Sequence, residues 1–145
     1  MPDRVIHTLD GKRGGFLLIM GAGWLAIGLS YTIGPATQSR SRGFAWLPWW
    51  ADANELGWLW VITAFISITA ALTSRKHPRR ENLAFGALMI PPVMWMVIFA
   101  WATIIGEHPT GWISSIAYSI FTTIIWHCSS WPNSARRHDE TEGGT

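Results

Sequence analysis

The chain has 145 residues, 49% of them hydrophobic and 14% charged, with a net charge of +2 and a single cysteine. One cysteine excludes an internal disulfide framework, and basic residues gathered in short blocks beside long apolar runs orient a chain across a bilayer rather than bind nucleic acid. Four uncharged apolar stretches, 14–34, 57–74, 83–106 and 109–128, take up most of these residues and leave no room among them for a separate soluble catalytic domain.

Each stretch can cross a hydrocarbon core of about 30 Å as a helix, which takes about 20 residues at a rise of about 1.5 Å each. The expected fold is therefore all-α: an integral membrane bundle of four transmembrane helices over 14–128, a cytoplasmic N-terminal arm over 1–13 and a cytoplasmic, polar and disordered tail over 129–145.

The first stretch follows Arg4, Lys12 and Arg13 and carries Gly21, Gly23 and Gly28, which membrane helices tolerate. Ala22, Ala26 and Ser30 recur on it at every fourth position and so share one face. A cleaved signal peptide is the rival reading, with Gly34, Pro35 and Ala36 around the cut. The run exceeds the usual apolar core of about 7 to 15 residues and a proline fits the cleavage site poorly, so an uncleaved helix is expected.

The connection over 35–56 holds Phe44, Trp46, Trp49 and Trp50. It is expected to form a short interfacial segment in the outer headgroup layer, where indoles bury their faces and keep the N–H hydrated. Asp52, Asn54 and Glu55 then supply an N-terminal helix signature. Trp58 and Trp112 join the loop tryptophans as interfacial anchors, with Trp60 and Trp101 close to the same interface. Trp126 and Trp131 fall near the opposite one, and Trp24 and Trp95 lie deeper, as bundle packing.

On the second stretch the four-spaced small residues are Thr63, Ser67 and Ala71; on the fourth they are Gly111, Ser115, Ser119 and Thr123. Such stripes mark packing faces, read as contacts within the bundle or as a subunit interface or pore lining. Hydroxyls that bond back to their own helix weaken the pore reading. The basic connection, Arg75, Lys76, Arg79 and Arg80 around Pro78, predicts a short cytoplasmic hairpin that sets topology and meets lipid headgroups.

Pro91 and Pro92 interrupt the third stretch, freeing the carbonyls of Ala87 and Leu88 and predicting a bend that is either static or a hinge. Glu107 and His108, flanked by Gly106, Pro109 and Gly111, predict a tight, solvated turn into an antiparallel fourth helix. His127 and Cys128 are adjacent, so on a helix they point about 100° apart and do not converge on a metal. Alternate blocks carry nine Lys and Arg against two, which places both termini and the second connection in the cytoplasm.

Arg13-Gly14-Gly15 entering the first helix, Trp24-Leu25 and Gly28 within it, and the Ala45-Trp46-Leu47-Pro48 loop resemble small four-helix membrane proteins of actinobacteria and their phages. The resemblance implies the architecture and, for phage-encoded proteins of this size, holin-like assembly in the cytoplasmic membrane; it carries over no catalytic residue. No Asp, Glu, Lys or Arg falls inside the apolar stretches, against coupled transport, and no nucleophile with a paired base is evident.

The expectation is a non-enzymatic protein of the bacterial cytoplasmic (inner) membrane with no catalytic residue, cofactor or metal. Its partners are the lipid bilayer and either further copies of itself or another membrane protein, with no nucleic acid. Two functional readings stand beside each other. One is holin-like permeabilisation through helix association; the other is a partner-binding membrane module, such as a phage exclusion factor or an accessory subunit of a transport or envelope complex.

Overall fold

The computed structural model describes residues 11–35, 42–48, 51–73 and 78–131. Among these residues four α-helices follow in order: α1 (Gly11–Thr32), α2 (Ala53–Thr73), α3 (Pro78–Ile104) and α4 (Gly111–Ser129). Every long element described is helical. Helices α1, α2 and α3 are each long and apolar enough to cross a membrane. In α4 the hydroxyls of Ser114, Ser115, Ser119, Thr122 and Thr123, together with His127, dilute the apolar character. The arm before Gly11, Trp49 and Trp50, Arg75 and Lys76, and the tail beyond Trp131 lie outside the described residues.

Three helices begin earlier than their apolar runs, α2 by taking in Asn54 and Glu55. Helix α1 takes in Lys12 and Arg13, and α3 takes in Arg79, Arg80, Glu81 and Asn82. Pro78 suits the first turn because its missing N–H has no helical partner there anyway, and Glu81 in that turn faces the positive end of the helix dipole. Helix α2 is capped as its sequence suggests: the Asp52 carboxylate accepts the backbone N–H groups of Asn54 at 2.9 Å and Glu55 at 2.8 Å.

Helices α1 and α2 form one hairpin, α3 and α4 another, and the hairpins meet through α2 and α3. The buried seam of α1 is Leu17, Gly21, Trp24, Gly28 and Tyr31, the alternating spacing of four and three that keeps one side of a helix against its neighbour. Its glycines let the backbones approach. A Cβ on Gly28 would stand 2.7 Å from Val61 Cγ2 and 2.9 Å from the Val61 nitrogen, and one on Gly21 would stand 2.8 Å from Ile68 Cγ1.

The α3–α4 turn depends on two further glycines. Gly106 adopts φ +81°, the left-handed conformation open to glycine, and a Cβ on Gly111 would lie 2.8 Å from the Phe99 carbonyl oxygen. His108, expected in a solvated turn, is instead buried: its ring lies 5.8 Å from Phe99, while its carbonyl accepts the Thr103 hydroxyl at 3.2 Å. The turn folds back onto the helix end, so Glu107 alone of the pair is exposed.

Candidate functional site

Two buried clusters organise the interior, one charged and one aromatic. At the basic end of the bundle, where Lys12, Arg79 and Arg80 are exposed, Arg13 reaches inward from the first turns of α1 and is only 8% exposed. Its Nε stands 3.4 Å from a carboxylate oxygen of Glu81, its Nη2 donates to Asn82 Oδ1 at 2.8 Å, and its Nη1 donates to the Trp131 carbonyl at 3.2 Å. The guanidinium also lies 5.0 Å from the Phe85 ring centroid. One side chain thus ties α1 to the start of α3 and to the residues just after α4. The planar fork of Arg suits this multiple attachment in a way a Lys ammonium does not.

This clamp was not legible in the sequence. Arg13 reads as a flanking topology charge, and the apolar stretches themselves hold no Asp, Glu, Lys or Arg; Arg13 and the fully buried Glu81 enter helices because α1 and α3 begin before those stretches. Their burial rests on pairing: a buried charge is sustained by an opposite charge and by hydrogen bonds, and its partners here are distant in the chain. An acidic residue directly after Arg79 and Arg80 is the one sequence signal available.

The centre of the bundle is filled by Trp24, Trp60 and Trp95. Trp60 meets Trp24 edge-on at 4.9 Å and Trp95 at 5.3 Å, and Tyr118 of α4 lies 6.0 Å from it. Trp24 and Trp95 take the packing positions expected of them. Trp60, grouped by sequence with the interfacial tryptophans, is fully buried, whereas Trp58 two residues earlier is 54% exposed. Two residues turn a helix by about 200°, so the pair necessarily faces opposite sides. Trp60 Nε1 finds no hydrogen-bond acceptor among the described residues.

At the opposite, loop end, a helical turn at 42–44 folds onto the bundle. Phe44 is 5% exposed and packs against Trp95 at 5.5 Å, Phe99 at 5.9 Å and Tyr31 at 6.4 Å. Trp46 is half-buried with its ring 6.4 Å from Trp101, while Trp58 and Trp112 remain about half exposed. The described part of this connection is therefore a cap on the core as well as a surface.

The small-residue stripes divide in two. Thr63, Ser67 and Ala71 are buried on α2, and Gly111 is buried on α4. Ser115 donates across to the Met96 carbonyl of α3 at 3.0 Å. The other hydroxyls bond back to their own helices: Ser30 to Ile27, Thr63 to Leu59, Ser67 to Thr63, Ser119 to Ile116 and Thr123 to Ser119. Ala22 and Ala26 point away from the bundle, and the α1–α2 contact runs through Gly21 and Gly28 instead. Ser119 is partly exposed and Thr123 exposed.

Pro91 and Pro92 are fully buried inside a continuous α3. Outside the core, Ile19, Phe65, Leu72, Leu83, Val97 and Ile116 are each more than half exposed, so the lateral surface of all four helices is apolar. No group of three or more His, Cys, Asp or Glu able to hold a metal occurs among the described residues. Comparison with known proteins returns no match to a family model, a curated protein or a solved structure.

Proposed function

We propose that the chain is a multi-pass protein of the bacterial cytoplasmic membrane, with α1 to α4 all spanning and both termini cytoplasmic. In this reading it acts without catalysis, by associating with other helices. The observation that carries the membrane reading is the inside-out distribution just described: large aliphatic and aromatic side chains exposed on every helix around a core already filled. A soluble monomer rarely exposes a continuous apolar surface of that extent. The orientation rests on the Lys and Arg imbalance. In a Cys128→Ser background, Glu107→Cys is expected to react with an impermeant thiol reagent in intact cells and Thr73→Cys only after lysis; the reverse pattern would invert the topology.

The sharpest form of the proposal is holin-like permeabilisation. The tryptophan-filled centre supports a route between subunits rather than through one, and the outward face of Ala22, Gly23 and Ala26 on α1 supports close helix approach. Induced expression in a bacterial host is expected to collapse the membrane potential together with the appearance of crosslinked oligomers. Ala26→Leu and Ser119→Leu, both outside the buried core, should suppress the collapse while leaving insertion unchanged. Well-inserted wild-type protein that stays monomeric and leaves the potential intact would replace this reading with the partner-binding module. For that alternative, the half-exposed Trp58, Trp101 and Trp112 at the loop end supply the contact surface.

A further inference from the structure

Helix α3 runs from Pro78 to Ile104 although Pro91 and Pro92 lie inside it. Neither proline has an N–H, so the carbonyls of Ala87 and Leu88, four residues earlier, lose their helical donors. A bare carbonyl in a water-free interior is costly, and proline-containing helices persist there where another group supplies the missing hydrogen bond. Leu88 has such a donor. Trp24 Nε1 of α1 donates to the Leu88 carbonyl at 3.1 Å, with Trp24 2% exposed and Leu88 fully buried.

The indole is held in place from two further helices, edge-on against Trp60 of α2 at 4.9 Å and Phe121 of α4 at 5.7 Å. One heptad along, the exchange runs the other way: Trp95 Nε1 of α3 donates to the Tyr31 hydroxyl of α1 at 3.0 Å. The two prolines are thus bracketed by two hydrogen bonds between α1 and α3.

We propose that Trp24 is a splint across the proline break of α3. Its indole N–H stands in for the amide hydrogen that Pro92 lacks and keeps the segments on either side of the break, 78–90 and 93–104, moving as one body. Without that N–H, the Leu88 carbonyl stands bare and the Pro91-Pro92 step becomes a hinge about which 78–90 moves relative to 93–104, which the Trp95 bond still ties to Tyr31 of α1.

A double substitution cycle on the full chain in detergent tests this, read by amide hydrogen exchange along α3. Trp24→Phe keeps an aromatic ring and removes the donor; it is expected to speed exchange over 88–98 by about threefold to tenfold, the range for one hydrogen bond. Pro92→Ala gives Leu88 a donor of its own, so adding Trp24→Phe in that background should have almost no further effect over 88–98. Pro91→Ala relieves Ala87 instead and should leave the full effect of Trp24→Phe in place. Equal effects in all three backgrounds would mean that the indole acts by packing alone and would overturn the proposal. Should Pro92→Ala fail to fold, Trp24→Phe still decides: faster exchange confined to the proline region of α3 supports the splint, and no change, or an even rise across α1 and α2, overturns it.

Discussion

Replacing Arg13 with Met is expected to destabilise the fold by about 3–5 kcal/mol, the usual cost of leaving a buried charge without its partner. The residue that loses its opposite charge is Glu81, which is fully buried and whose carboxylate stands 3.4 Å from the Arg13 guanidinium. Glu81→Leu alone should cost a similar amount by stranding the guanidinium. The double substitution Arg13→Met with Glu81→Leu should recover most of the loss, since a buried pair exchanged for apolar residues of similar volume is often neutral or better. Recovery will be partial, because Arg13 also donates to Asn82 Oδ1 and to the Trp131 carbonyl. Unfolding in detergent, followed by circular dichroism, measures all three variants. Additive losses in the double substitution would show that the two side chains contribute independently and that no clamp exists.

The helices were legible because apolar runs of about 20 uncharged residues have few alternatives, and the deep positions of Trp24 and Trp95 followed from their place in those runs. What could not be read is whatever depends on which side of a helix faces a neighbour. Spacing of four marked Ala22, Ala26 and Ser30 as one face of α1, which they are, yet the contact with α2 uses Gly21 and Gly28 on another face of the same helix. Both faces are rich in small residues, so pattern alone does not choose between them.

Trp60 carries the same lesson, since its position along the helix suggested an interface while its rotation about the axis buries it. Arg13 and Glu81 escaped for a further reason. Charge composition reports a residue's cost in an apolar setting but not the partner that offsets it, and the Asn82 and Trp131 partners of Arg13 lie 69 and 118 residues away in the chain.

The glycines of α1 allow the choice of face to be tested directly, because two of them differ in surroundings while sharing a helix. Gly28→Ala is expected to destabilise the protein by about 1–3 kcal/mol, the range for overpacking a filled contact. The new methyl would stand 2.7 Å from Val61 Cγ2 and 2.9 Å from the Val61 backbone nitrogen. A side chain can rotate away, but a backbone atom cannot, so α1 and α2 must separate and loosen the Trp24 and Trp60 contact beside them. Gly23→Ala meets nothing within 4 Å and should be neutral or stabilising by up to about 1 kcal/mol, the ordinary helix preference for Ala over Gly. Thermal unfolding of the two variants in the same detergent makes the comparison, and equal stabilities would place the α1–α2 seam elsewhere. The oligomer assay then separates the two faces by function. If the Ala22, Gly23 and Ala26 face joins subunits, Gly23→Leu should leave the monomer folded and abolish crosslinking, whereas Gly28→Ala should weaken both together.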